Sequence, residues 1–259
     1  MAAWRKLAVG ALALCGVAGM AAPARAADPK DDIVLGALVA EFHLAVAASL
    51  GDASGGETDI PKETLARAAQ ISRLTARHDS QGSADLDLAL GAFLAFAAGL
   101  EKEAKAPLAP KQARDFACQL VGSDPVAFAE LGRRVGIDGD GARSCTKTFE
   151  QAAAAWNKNF SAYRLGPGLM PPAGAGPLYV EIAPVFNPAN EAIAAMLRDS
   201  QLYDLLAERL NAEMVMPSGR VLLVTECGGT HAFYNSERRE IVLCDERIAA
   251  WIAATSAQP

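Results

Sequence analysis

Apolar positions along the chain change period once, near residue 165. Before that point they recur every three or four residues, the spacing of one face of a helix. Residues 33–50 are almost all apolar or small, with Glu41, His43 and Ser49 as the exceptions, and Asp32 stands where a cap is needed. The run carries charge and is short for a bilayer, so the pattern predicts a buried central helix rather than a membrane span. Asp59 and Pro61 start a second helix to about Arg77, through Leu65, Ala68, Ile71 and Leu74. A third is expected over 83–100, a fourth over 111–121 with Gly122 as its C-terminal cap, a short one from Ser123-Asp124-Pro125 to Val135, and a sixth over 142–160.

Residues 166–177 are too rich in Gly and Pro for a helix or a central strand and read as a linker. Beyond them, 178–186 alternates as a strand does, 188–210 is helical, and Pro217-Ser218-Gly219 turns the chain into an apolar strand at 221–225. Residues 226–244 have the cadence of strand, glycine kink and strand, with a turn near Asn235-Ser236, and 245–254 forms a terminal helix. The expected class is α+β: a helical region over 27–165 packed with a smaller α+β region over 178–259 that carries a short antiparallel sheet or hairpin.

The N-terminus modifies this picture. Arg5 and Lys6 precede an apolar run over 7–22, and Ala24-Arg25-Ala26 supplies a small-x-small cleavage signal. Residues 1–26 are therefore expected to be a signal peptide, leaving 233 of the 259 residues to build a core in the periplasm or outside the cell. Leu14 ahead of Cys15 is bulkier than lipidation requires. The first 26 residues hold three basic and no acidic side chains, so their removal takes the formal charge from −6 to −9. That balance excludes nucleic acid as an expected partner, and nothing after the signal calls for membrane insertion. Four cysteines remain, Cys118, Cys145, Cys227 and Cys244, an even number in an oxidising compartment. Three pairings are formally possible. The sequential one keeps each bridge within a local unit, and each such bridge contributes about 3 kcal/mol under the loop-entropy model. No Cys-x-x-Cys spacing supports four-thiolate zinc.

Candidate chemistry is sparse. There are three histidines and no His-Glu-x-x-His, so a helical zinc site with two imidazoles one turn apart cannot form. His43 sits in the apolar helix, about 200° around from Glu41, and its plain reading is a buried histidine satisfied by one hydrogen bond. His78 reads as a capping residue at a helix end. His231, set among Ala232, Phe233 and Tyr234, is structural unless another ligand converges on it. No Gly-x-Ser-x-Gly elbow and no phosphate-binding glycine loop occur.

Several segments together resemble a known family. Glu226-Cys227-Gly228, Ala232-Phe233-Tyr234-Asn235 and the run from Arg239 through Glu240-Ile241-Val242-Leu243-Cys244 to Asp245-Glu246 are similar to the cysteine-bracketed motif of secreted bacterial metallopeptidases of zincin type. Ala117-Cys118-Gln119 through Asp124-Pro125, followed by Arg143-Ser144-Cys145 and Trp156, is similar to that family's helical middle, which carries the other cysteine pair. The resemblance implies an early helix with a His-Glu-x-x-His segment and a later acidic ligand. On that register His43 matches the first ligand, Leu44 stands where the general base belongs and Ala47 where the second imidazole belongs. Glu63 is the nearest approach to the acidic ligand, and His231 replaces an Asn.

A protein zinc site wants at least three side-chain ligands, and without the glutamate no base takes a proton from bound water. The reading is therefore a metallopeptidase relative without zinc or catalytic residues, free of cofactors, that binds a peptide or an envelope protein. One alternative is an active metallopeptidase with a rearranged zinc site in which His43 and His231 meet a carboxylate, Glu63 or Glu226. Another is a structural envelope protein with no pocket function.

Overall fold

A computed structural model describes residues 29–51, 60–76, 80–100 and 108–256. The expected signal segment, Cys15, Asp59 and His78 lie outside them. Six helices come first: α1 (Pro29–Ser49), α2 (Lys62–Thr75), α3 (Ser80–Gly99), α4 (Pro110–Ser123), α5 (Ala129–Arg134) and α6 (Gly139–Phe160). Then follow β1 (Leu178–Ile182), α7 (Pro188–Ser200), α8 (Leu202–Glu213), β2 (Arg220–Thr225), β3 (Ala232–Asn235), β4 (Glu240–Cys244) and α9 (Asp245–Ser256). The α+β class holds, with a helical N-terminal part and a small four-stranded sheet in the C-terminal part.

The sheet has the order β1-β2-β4-β3 and is mixed. Only the β3–β4 hairpin is antiparallel, in a register that sets Ala232 against Leu243 and Asn235 against Glu240. β1 with β2 and β2 with β4 pair in parallel. The glycines precede the hairpin rather than kinking its first strand: Gly228, at φ +71°, turns the loop between β2 and β3. The hairpin's own turn is held by the Asn235 carboxamide, which accepts from the N–H groups of Glu237 and Arg238, and Arg239 takes the left-handed position at φ 58°.

α1 sits at the centre. By length and composition it could cross a membrane, but most of it is buried within the protein. It packs on α2 and α3 on one side and on β3, β4 and α9 on the other, so a single hydrophobic core runs from Val34 and Phe42 to Leu222, Leu243 and Trp251. Gly36 lets α3 come close, because a methyl at this position would run into the Ala89 carbonyl.

Several boundaries differ from the sequence expectation, and four of them have clear local reasons. β1 stops at Ile182 because Pro184 offers no N–H to a ladder. The helical stretch after Pro188 is two helices, broken at Gln201, which adopts φ 51° and ψ 23°. Gly122 lies inside α4 rather than beyond its end, and its lack of a side chain admits the Cys145 carbonyl of α6. That approach lets Cys118 and Cys145 form a disulfide with their Cα atoms 5.1 Å apart. Asp124 caps a turn through the N–H groups of Val126 and Ala127, and regular helix begins only at Ala129. Residues 166–177 hold no helix or strand and are tied to the α8–β2 connection by an isolated bridge between Gly176 and Met216.

Replacing Gly36 by Ala should force α1 and α3 apart and cost about 1–3 kcal/mol, the usual range for overpacking. Thermal unfolding should register it as a Tm lowered by about 2–4 °C per kcal/mol for a chain of this size.

Candidate functional site

Glu41 is the acidic exception in the apolar helix, and the structure gives it two partners on one neighbour. Arg247 and Trp251 stand four residues apart, hence on one face of α9. The Arg247 Nε donates to Glu41 Oε2 at 2.7 Å, and the Trp251 indole N–H donates to Oε1 at 2.7 Å. The ion pair is nearly sealed, with side-chain exposures of 14% for Arg247 and 3% for Glu41. Beneath it lies Tyr203 of α8, buried with its hydroxyl unpartnered. Burial, then the charges of Glu41 and Asp245, hold that phenol well above its ordinary range.

Arg220, at the start of β2, fixes the far end of α1. Its guanidinium donates to the Ser49 carbonyl and to Ser49 Oγ, and it lies 4.6 Å from the centre of the Tyr234 ring. A cation thus meets the last turn of a helix, where the macrodipole favours it.

His43 projects from the other side of α1, as its two-residue offset from Glu41 requires. Its Nε2 lies 3.1 Å from Thr75 Oγ1, and that hydroxyl donates to the Ser72 carbonyl. The hydroxyl proton being committed, Nε2 is the donor and Nδ1 carries a bare lone pair, which has no partner. Burial drives the His43 pKa from 6.5 down to about 3. The ring borders a cavity of about 10 Å³, room for roughly one water, lined also by Val39, Ser72, Leu86, Asp87 and Leu206. The Asp87 carboxyl there is pushed up to about 6 by burial and by the charge of Asp124.

The other ligand candidates lie elsewhere. Glu63 is exposed in the first turn of α2, whereas Thr75 ends that helix. Twelve residues at 1.5 Å each place Glu63 about 18 Å along the axis from the residue that touches His43. Leu44 and Ala47, at the base and second-imidazole positions of the resemblance, are core residues. His231 is exposed in the loop before β3, where its N–H donates to the Gly229 carbonyl and its own carbonyl accepts from Cys244. The cavity at His43 brings it to Thr75 and Asp87, and neither Glu63 nor His231 lines it.

The loop containing His231 is organised by two glutamates. Glu226 accepts from the N–H groups of Phe186 and Asn187 and from the Asn190 amide, joining the end of β2 to the start of α7. Desolvation acts against its charge, but these three hydrogen bonds outweigh it and hold the carboxyl below its usual range. Glu246 accepts from Cys227 and Gly228 N–H at 3.2 and 2.9 Å. Cys227 and Cys244 are bridged, Cα atoms 5.4 Å apart. Asp245 is buried with Oδ1 unpartnered, and burial followed by the charges of Glu246 and Glu226 pushes its carboxyl up to about 6.

Among the described residues, the one set of three or more His, Cys, Asp or Glu ligand atoms within 4.8 Å of one another is Cys227, Cys244 and Glu246, which does not include His43 and has both sulfurs in the bridge. Arg247, Trp251 and Asp87 carry no motif that singles them out in the sequence. The lone carboxylate of Glu41 on an apolar helix was the available signal, since such a group demands buried donors.

Residues 183–258 match a family model described as "Putative metallopeptidase". The match takes in α7, α8, β2, the hairpin with its Cys227–Cys244 bridge, and the whole of α9; His43, Glu63 and the Cys118–Cys145 bridge fall outside it. No curated protein and no solved structure matches the chain. Two measurements probe the buried groups. Replacing Glu41 by Ala removes the buried acceptor shared by Arg247 and Trp251 and should cost about 3–5 kcal/mol in chemical unfolding. Below pH 6.5 the unfolded chain takes up a proton at His43, whereas the folded chain does not until about pH 3, so stability from this residue is lost as the pH falls across that window. The loss reaches about 2 kcal/mol at pH 5. Asp87 and Asp245, raised to about 6, act in the opposite sense, losing stability as the pH rises towards 6. The Tm difference between pH 7 and pH 5 should accordingly be smaller in His43→Leu than in the wild type if acid destabilises the protein, and should become more favourable to pH 5 in any case.

Proposed function

We propose that this chain is an exported relative of zincin-type metallopeptidases that has no catalytic zinc centre and serves as a binding protein for a peptide or an envelope protein. The observation that carries the reading is the burial of His43. At the first-ligand position of the resemblance stands an imidazole that donates to Thr75 inside a helical core, with Leu44 and Ala47 packed where a base and a second imidazole would be needed. Glu63, about 18 Å away along α2, cannot complete a set of ligands at about 2 Å from one ion.

Export is supported by the basic and apolar pattern of residues 1–26 and by two cysteine pairs at bridging distance. Binding would use a surface rather than a pocket, because the cavity beside His43 has room for only about one water. β1 is an edge strand with Tyr179 60% exposed, and Phe186 just beyond it is 89% exposed. An extended peptide can add to such an edge through main-chain hydrogen bonds, with side chains settling on the aromatic surface.

Metal analysis of the purified, oxidised protein, paired with a peptidase assay, tests this. The expected result is less than about 0.1 zinc per chain, where a protein-held site would approach one, and no chelator-sensitive cleavage. About one zinc per chain, removable with loss of cleavage, would overturn it.

A further inference from the structure

The loop between β2 and β3 gathers three metal-ligating groups that the reading above leaves unused. Cys227 is exposed at the exit of β2, Cys244 is the last residue of β4, and Glu246 lies in the first turn of α9. Their two Sγ atoms and a carboxylate oxygen lie within 4.8 Å of one another. We propose that the Cys227–Cys244 disulfide is the oxidised form of a metal site, and that after reduction Cys227, Cys244 and Glu246 bind one thiophilic divalent cation of the Zn²⁺ class.

Geometry supports this. Zinc bonds of about 2.3 Å to sulfur and 2.1 Å to oxygen place tetrahedral ligand atoms about 3.5–3.8 Å apart, so the spacing is met once the two sulfurs separate by under about 2 Å. Cys244 and Glu246 are fixed at a strand–helix junction, whereas Cys227 is followed by Gly228 at φ +71° and by Gly229, a backbone able to take up that movement. The Glu246 carboxylate is already turned towards the cysteines by the N–H groups of Cys227 and Gly228, an orientation of the kind that supporting hydrogen bonds give to metal ligands.

Electrostatics act in the same direction. Cys244 immediately precedes α9, where helix N–H groups favour a thiolate. Glu226, Asp245 and Glu246 gather three carboxyl groups at this corner, a setting that attracts a divalent cation.

The opening step balances as ordinary exchange. A dithiol reductant transfers two electrons and two protons, the Cys227–Cys244 S–S bond breaks, and the reductant becomes a disulfide. Each cysteine thiol then releases its proton to solvent as zinc binds. This site shares no residue with the His43 question, and it concerns the reduced protein where the previous test concerns the oxidised one, so either can fail alone.

The full chain would be reduced anaerobically with a phosphine, which converts to its oxide and is removed by gel filtration before metal is added. Alkylation and mass spectrometry would identify the opened bridge, and Zn²⁺ would be titrated against a chromophoric chelator. The expected result is no zinc in the oxidised protein and one per chain once Cys227 and Cys244 are free, with affinity lowered at least tenfold in Glu246→Gln and lost in the Cys227→Ser, Cys244→Ser double variant. The conservative Glu246→Gln change keeps the test available should the double variant fail to fold. Reduction without zinc uptake, with or without unfolding, or equal affinity in Glu246→Gln, overturns the proposal.

Discussion

A single carboxylate in the middle of an apolar helix constrains the rest of the molecule. Burying Glu41 unpaired would cost several kcal/mol, so α1 can be buried only where both of its oxygens find donors. Arg247 and Trp251 supply them from the last helix, more than two hundred residues on in sequence, both at 2.7 Å. The result is a fixed rotation of α1 about its axis and a fixed docking of α9. An all-apolar contact between the same helices would tolerate slippage; two directed hydrogen bonds to one carboxylate do not. Arg220 adds a second restraint at the Ser49 end, which ties the same helix to the sheet.

Once α1 is set in this rotation, the direction of His43 follows. About 200° from Glu41, its ring must face α2 and α3, the purely helical side of the core. There it meets Thr75, and the hydroxyl's commitment to the Ser72 carbonyl settles which nitrogen carries the proton. A metal ligand needs a lone pair with companions around it. His43 has the lone pair on Nδ1, but its surroundings are a water-sized cavity and one half-buried carboxyl, Asp87. Building a zinc centre here would take substitutions at the buried positions 44 and 47 together with an acidic ligand at the correct level of α2, each a change in a close-packed interior.

Much of this was legible from residue spacing, and what escaped had long-range causes. The helices of the first half and the C-terminal helix follow from apolar periodicity, and both disulfides pair sequentially, joining residues 27 and 17 apart. The parallel pairing of β2 with β4 was not legible, because it depends on β3 being thrown to the outer edge by the 226–231 loop. Gly122 looked like a helix terminator; it is a contact residue, and only the neighbouring backbone of Cys145 explains it. The break at Gln201 has no glycine or proline to announce it. At the candidate site, the sequence singled out His43, Glu63 and His231 by residue type, but which of them meet depends on helix levels that no local pattern encodes.

The corner from Glu226 to Glu246 has a different logic from the helical core. It is irregular backbone near the surface, and such backbone must have its N–H groups satisfied. Glu226 serves the start of α7 and Glu246 serves the Cys227-Gly228 turn, so two carboxylates do the work that a ladder does elsewhere. Their charges accumulate beside Asp245, whose own carboxyl is left half-satisfied and raised to about 6. Holding a loop with carboxylates therefore leaves an excess of negative charge next to two sulfurs. The Cys227–Cys244 bond closes the corner covalently, and it keeps those sulfurs from acting as thiolates in the one place among the described residues where they have a carboxylate for company.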